Sequence, residues 1–315
     1  MQRYLLSRLL ALIPVLLGIL AVVFLLIRLI PGDAVQLFLG TQVEMTPEQM
    51  AELRRFFGVD KPIPLQFLDY LGRILRGDFG VSLRTARPVL PDIAQRLPLS
   101  FQLATLALAV AVAIAVPLGI VSAVVRNSPV DVATRIGGLL GLSIPNFWLG
   151  AMLILVFSRY LHVSLGQYVP LSQDPLGTLR SLYLPALALG AAIAAILMRY
   201  VRSSLLEVLG QDYIRTARGK GLRGTVVLLR HALPNALIPV VTVVGFQMGY
   251  LLGGTVVIEE IFALPGMGRL VLQAIFQRDY PVVQGVVLVV ALLFVLTNLV
   301  VDLLYAWIDP RIRYA

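Results

Sequence analysis

Residues 9–30 read LLALIPVLLGILAVVFLLIRLI, twenty-two residues with a single charge, Arg28, near the far end. As a helix, a run of this length covers the ~30 Å hydrocarbon core of a bilayer. Arg3 and Arg8 precede it, as they would in a secretory signal. The run is too long for the apolar region of a signal peptide, and no small-residue cleavage site follows, so it reads as a retained transmembrane helix. Pro14 and Gly18 are tolerable inside such a helix, because neighbouring groups satisfy the backbone they free.

Five further apolar runs follow, near 98–125, 134–160, 182–202, 236–258 and 282–307, and Pro117, Pro145 and Pro185 are expected to kink or bound them. β-Branched stretches such as Val286–Val290 lie inside runs of membrane length, so helix is the better reading than strand. Composition agrees. Of 315 residues, 58% are hydrophobic and 14% charged, against about 25% charged in ordinary soluble domains, and the mean hydropathy is +0.88. A soluble protein this apolar could not cover its surface. The expected fold is all-α and polytopic, with six transmembrane helices.

Residues 31–97 break the pattern. Thr46-Pro47-Glu48-Gln49 supplies an N-cap, a proline at the first helical position and a glutamine at N3, opening a helix that should stop near Gly58. A second helix, about Leu65 to Arg76, carries Leu65, Leu68, Leu71 and Leu75 on one stripe and ends at Gly77. The expected organisation is an N-terminal helix (1–30), a small helical subdomain (31–97), a five-helix core (98–307) and a tail (308–315).

The net charge is +9 and the pI about 10.2. No basic stripe carries stacking aromatics, so basic loops on one side of a membrane explain the excess better than nucleic-acid binding. With the N-terminus inside, Arg3, Arg8, Arg126, Arg135, Arg199, Arg202, Arg215, Arg218, Lys220, Arg223, Arg230, Arg311 and Arg313 are cytoplasmic. Only Arg159, Arg180, Arg269 and Arg278 lie in short outer loops. That asymmetry places both termini in the cytoplasm and 31–97 outside.

Several chemistries are excluded. There is no cysteine, hence no disulfide, thiolate metal site or thiol nucleophile. The two histidines, His162 and His231, form no HExxH. Serines occur without GxSxG, and no paired carboxylates stand at catalytic spacing, which argues against an intramembrane hydrolase. No GxxxxGK[ST] loop is present, so the chain does not itself read as an ATPase.

One inner loop is long: Ser203–Leu233, SSLLEVLGQDYIRTARGKGLRGTVVLLRHAL. Loops of this length usually carry a function or structure of their own. Glu207 to Arg218 reads as helix, with Leu206, Tyr213, Ile214 and Ala217 as its apolar members, and Gly219 and Gly221 end it. A short helix with a small apolar face and flanking cations suits a groove on another protein. It equally suits the membrane interface.

The stretch Asp212-Tyr213-Ile214-Arg215-Thr216-Ala217-Arg218-Gly219-Lys220-Gly221-Leu222 resembles the EAA loop of ABC importer permeases. The chain as a whole is similar to the permeases of dipeptide, oligopeptide, nickel and glutathione importers, the DppB/OppB type. Pro31-Gly32-Asp33, Gly77-Asp78-Phe79-Gly80-Val81-Ser82 and Ser143-Ile144-Pro145-Asn146-Phe147-Trp148-Leu149-Gly150 carry the likeness. So do Arg230-His231-Ala232-Leu233 with Asn235-Ala236-Leu237-Ile238-Pro239, and Glu259-Glu260-Ile261-Phe262-Ala263-Leu264-Pro265-Gly266-Met267-Gly268-Arg269. Asp302-Leu303-Leu304-Tyr305 and Asp309-Pro310-Arg311 close the set.

The resemblance implies a type I importer permease forming half of a translocation pathway, most commonly for di- or oligopeptides. It implies a homologous second permease, usually non-identical, and a solute-binding protein outside. Two ATPase subunits would hold ATP and magnesium, with no cofactor in this chain and no resident metal. The implied coupling residues are Glu207, Asp212, Tyr213, Ile214, Arg215, Ala217, Arg218, Lys220 and Gly221. Gly221 would take a positive φ at the sharp turn. Gly219 stands where alanine is commoner in the family, and Arg223-Gly224-Thr225-Val226 replaces a more charged stretch. Two added glycines would loosen the loop by roughly 0.5–1 kcal/mol each if helical. A secondary transporter or channel working without ATPases is the alternative, and it lacks the repeat of interrupted spans expected of it.

Polar residues within spans are Gln102, Asn146, Gln247, Thr297 and Asn298. Each is a candidate for lining a path or for hydrogen bonding between helices. Gln247, beside Gly245 and Gly249, is the preferred path residue, with Asn146 and Asn298 next. Asp302 reads as a cap or ion-pair partner, Glu259 and Glu260 as an outer solvated turn or a contact to the binding protein, and Trp148 and Trp307 as interfacial anchors.

Overall fold

A computed structural model of the chain describes residues 2–28, 46, 48–49, 61–162 and 166–308. The elements in order are α1 (Gln2–Arg28), α2 (Ile63–Leu75), α3 (Val89–Val124), α4 (Pro129–Ser143), α5 (Asn146–Arg159), α6 (Pro175–Leu209), α7 (Asp212–Gly219), α8 (Gly224–Gly254), α9 (Val256–Ile261), α10 (Met267–Gln277) and α11 (Tyr280–Ile308). Among the described residues there is no strand, only an isolated bridge between Val81 and Pro88.

Among the described residues, four helices are long and apolar enough to cross a membrane: Val89–Val124, Pro175–Leu209, Gly224–Gly254 and Tyr280–Val301. The expected span at 134–160 is not one helix. α4 and α5 are two helices that meet at 98°. The break is chemical: Pro145 offers no N–H, and Ile144 before it is extended (φ −84, ψ 120). Pro185 lies inside continuous α6, and Pro117 inside α3. The first expected span, 9–30, overlaps α1, within which Leu10–Leu25 is a shorter apolar helix.

Helix starts follow local chemistry. Ser128 caps α4 by accepting from the Asp131 N–H, with Pro129 at the first position. Asp174 caps α6 by accepting from the Leu176 N–H, with Pro175 first. Thr46 and Gln49 make the reciprocal pair expected of a capping box: the Thr46 N–H donates to Gln49 Oε1 at 3.1 Å and the Gln49 N–H to Thr46 Oγ1 at 3.3 Å. The end of that helix near Gly58 lies outside the described residues, as do Pro31-Gly32-Asp33 and Asp309-Pro310-Arg311. α2 ends as expected at Gly77, whose φ is +77.

The chain divides into two compact units, Met1–Pro98 with Pro265–Leu293, and Leu99–Leu264 with Phe294–Ala315. In the first, Leu20 and Phe24 of α1 pack with Tyr70 of α2 and Leu288 of α11. The Phe24 and Phe67 rings meet edge to face at 5.3 Å. A second cluster joins Val89 and Ile93 at the start of α3 to Met267, Leu270 and Ala274 of α10 and Val282 and Val286 of α11. The segment Asp78–Pro88 is tied down beside it. Ser82 Oγ donates to Asp279 Oδ2 at 2.5 Å, and the Leu83 N–H to Asp279 Oδ1 at 3.1 Å. Arg84 Nε donates to the Gln277 carbonyl at 2.8 Å.

In the second unit, α6 is the central helix, with sixteen buried residues, and α4, α5 and α8 pack on it. Its Ala- and Gly-rich middle, Ala186 to Ala195, lets neighbouring helices approach closely.

Candidate functional site

The 203–233 segment resolves into three pieces. α6 runs on to Leu209, so Glu207 sits in its last turns and not on the short helix. The expected continuous helix from Glu207 to Arg218 is interrupted at Gly210-Gln211. There the Gly210 N–H folds back to the Glu207 carbonyl at 3.2 Å and the Gln211 N–H to the Val208 carbonyl at 3.1 Å. α7 then occupies only Asp212–Gly219. A helix of eight residues has little stability of its own. Its fold comes from its seat.

That seat is apolar. Ile214 is 0% exposed and Ala217 is buried beside it. They pack with Ala123 of α3, Leu205 of α6, and Val227, Ala232 and Ala236 of α8. The opposite face is free: Asp212, Arg215, Arg218 and Lys220 are exposed, and Tyr213 is 44% exposed. Arg215 and Asp212 form a solvent-facing pair at 3.5 Å, weak by its exposure. Gly221 has φ +79, in the left-handed region that the turn requires. Gly219 is the last residue of α7, and Gly224 begins α8, so the second glycine falls at a helix start rather than inside the loop helix.

α8 opens unusually. After Gly224–Val226 it widens into a π-helix over Val227–Ala232 and then continues as α-helix from Leu233. The Leu233 N–H reaches back five residues to the Leu228 carbonyl. Asn235 Nδ2 donates to the His231 carbonyl at 2.9 Å and to Tyr213 Oη at 3.2 Å. Ser204 Oγ of α6 donates to the Ala236 carbonyl at 2.8 Å. Sequence reading missed these contacts, since neither the π-turn nor an Asn–Tyr pair twenty-two residues apart has a periodic signature.

Close in sequence to seat residues Ala123 and Leu205 are groups of an ion-pair network whose carboxylate is buried. Arg202 of α6 holds Asp131 of α4 with both ends of its guanidinium, Nε to Oδ1 at 2.8 Å and a terminal nitrogen to Oδ2 at 2.9 Å. Ser122 Oγ and the Asn127 N–H also donate to this carboxylate. Asp131 is 0% exposed, so its remaining lone pairs need these donors.

The 259–269 motif differs from expectation at Glu259, which is 0% exposed and no solvated turn. Its Oε1 accepts from Ser100 Oγ at 2.7 Å and Thr255 Oγ1 at 2.8 Å, and its backbone carbonyl accepts from the Leu264 N–H. Glu260, its neighbour, is exposed.

The three path candidates are not joined by any hydrogen bond. Asn146 and Gln247 are half-buried. Gly245 and Gly249 are buried against α11: a Cβ on Gly245 would stand 2.0 Å from Val301 Cγ2, and one on Gly249 would stand 2.8 Å from Phe294. They mark a close helix crossing, and Gln247, two residues from each, points elsewhere on the helix. Asn298 Oδ1 is buried without a hydrogen-bond partner. Gln102 Oε1 accepts from Tyr168 Oη at 3.2 Å. The side chains of Asp302 and Trp307 lie outside the described residues, while Trp148 is exposed on α5.

Residues 115–314 match the family described as binding-protein-dependent transport system inner membrane component, and residues 1–104 match the N-terminal region of such membrane components. The chain belongs to this family of ABC importer permeases. It is 46% identical, over the full length of both chains, to a glutathione transport system permease protein of Pectobacterium atrosepticum. It is 44% identical, again over the full length of both, to a Brucella abortus permease named for a peptide transport system. Among solved structures, an amino acid ABC transporter chain matches at 14% identity and a TM-score of 0.49, covering 70% of this chain and 94% of that chain. The permease is thus a multi-pass membrane protein and not an enzyme, the subunit of a system that includes a binding protein.

Proposed function

We propose that this permease forms half of the pathway of an ATP-driven importer for small peptides, glutathione among them. α7 is its coupling element. The observation that carries the reading is the two-sidedness of α7: Ile214 and Ala217 are sunk into the permease, while Asp212, Tyr213, Arg215, Arg218 and Lys220 are left exposed. A helix anchored on one face and polar on the other suits a groove in a partner. The resemblance of Asp212–Leu222 to the EAA loop supplies the partner's nature, an ATPase subunit. ATP and magnesium are held there, by two such subunits. Arg215 and Arg218 pair with carboxylates at the rim, which orients docking more than it tightens it.

The pathway is completed by a second, homologous permease, non-identical in our reading. The solute-binding protein delivers substrate on the face opposite α7. The bias of Lys and Arg toward the loops bearing α7 supports placing α7 and both termini in the cytoplasm. Full-length relatives named for glutathione and for peptide transport support the substrate class.

The test is uptake in proteoliposomes holding this chain, its sister permease, the ATPases and the binding protein. Labelled glutathione, dipeptide, oligopeptide and nickel are offered with and without ATP. Peptide uptake that needs ATP is the expected result. Uptake indifferent to ATP overturns the importer reading, and uptake of nickel alone overturns the substrate class.

A further inference from the structure

α7 is held to the rest of the permease in two physically different ways. The first is the apolar seat of Ile214 and Ala217. Apolar contact is non-directional, so such a seat resists withdrawal better than it resists sliding or rotation. The second is the hydrogen bond from Asn235 Nδ2 to Tyr213 Oη at 3.2 Å. Hydrogen bonds are directional and fix register.

Asn235 is suited to this by chemistry and by place. A primary amide has two N–H donors. Here the same nitrogen also meets the His231 carbonyl at 2.9 Å, so one side chain joins α7 to the π-turn. π-Turns are rare, and they occur disproportionately where helices serve function. This one stands at the foot of a membrane-length helix, α8, next to Pro234, which has no N–H to offer the preceding turn. Accepting from Asn235 also leaves the Tyr213 O–H free to donate outward, on a side chain that is 44% exposed.

We infer that Asn235 is a positioning residue for energy coupling: by bonding Tyr213 and the His231 carbonyl together, it makes displacement of α7 turn the π-opened base of α8 rather than slip over the apolar seat. This rests on α7 being the coupling element. What Asn235 and Tyr213 set is the fraction of α7 motion that reaches the membrane helix.

The experiment compares Asn235→Ala, Tyr213→Phe, the double variant and Gly221→Val in the complete complex in proteoliposomes. Labelled glutathione is the probe, with a labelled dipeptide as the second. The quantity read is substrate moved per ATP hydrolysed. A lost hydrogen bond of ordinary strength corresponds to roughly a two- to ten-fold change. Asn235→Ala and Tyr213→Phe are each expected to lower the ratio by that factor while hydrolysis continues, and the double variant to be no worse than Asn235→Ala. An unchanged ratio in Asn235→Ala overturns the inference, as does a double variant in which the two losses multiply. If Gly221→Val uncouples and Asn235→Ala does not, the inference fails alone. If Gly221→Val also leaves the ratio unchanged, the coupling reading of α7 fails with it.

A second arm needs no substrate. The chain has no cysteine, so spin labels at Thr216→Cys on α7 and Phe246→Cys on α8 report one distance. That distribution is expected to broaden in Asn235→Ala, and an unaltered distribution counts against the inference.

Discussion

Asp131 and Arg202, seventy-one residues apart, form a two-point ion pair whose carboxylate is 0% exposed and takes further bonds from Ser122 and Asn127. Arg202 is one turn before Leu205, and Ser122 adjoins Ala123; both neighbours belong to the seat of α7. The pair therefore locks α3, α4 and α6 together beside the coupling element.

Removing one partner strands the other charge. Arg202→Ala is expected to lower the apparent Tm of the detergent-solubilised complex by roughly 5–15 °C. Arg135→Ala removes only a 3.6 Å contact from a half-exposed side chain and is expected to shift Tm by no more than about 2 °C. Thermal-shift measurement on both distinguishes a buried lock from a general response to lost positive charge.

The α8–α11 crossing depends on missing side chains. Gly245→Ala places a Cβ 2.0 Å from Val301 Cγ2 and is expected to destabilise by about 1–3 kcal/mol. Gly137→Ala meets nothing within 4 Å and serves as the control, neutral or slightly stabilising. Equal effects in an unfolding series would show that the crossing is not tight.

Ser82 and Asp279 hold the Asp78–Pro88 segment. Ser82→Ala removes a buried donor to a carboxylate that is itself 3% exposed, at an expected cost of about 1–3 kcal/mol. Limited proteolysis should find this segment cut faster in the variant, and protection equal to the unaltered chain would count against its being held by Asp279.

Gly221 and Gly219 predict opposite outcomes. Nothing lies within 4 Å of a Cβ at Gly221, so the demand there is its φ of +79, not space. Gly221→Val is expected to cost about 1–2 kcal/mol locally and to uncouple hydrolysis from uptake without blocking membrane insertion. Gly219→Ala, at the helical end of α7 and equally unobstructed, is expected to leave uptake intact and firm the helix by about 0.5–1 kcal/mol. Uptake assays on the two side by side would expose any error in this assignment.

The apolar runs, the capping box at Thr46, the helix stop at Gly77, the boundary at Pro145 and the turn at Gly221 were all determined by the sequence alone. Each follows from hydrophobic length or from backbone freedom within a few residues, and such local terms do not wait for the rest of the chain. The motif order that marks the family is likewise linear. Tertiary structure alone decided that Glu207 belongs to α6 and that 134–160 bends through 98°. It decided too that Glu259 is buried on Ser100, that Asp131 finds Arg202 and that Asn235 finds Tyr213. Those outcomes need partners 22 to 159 residues distant. Burial of a carboxylate or pairing of an amide is set by what packs against it, and no periodicity in the chain encodes that meeting.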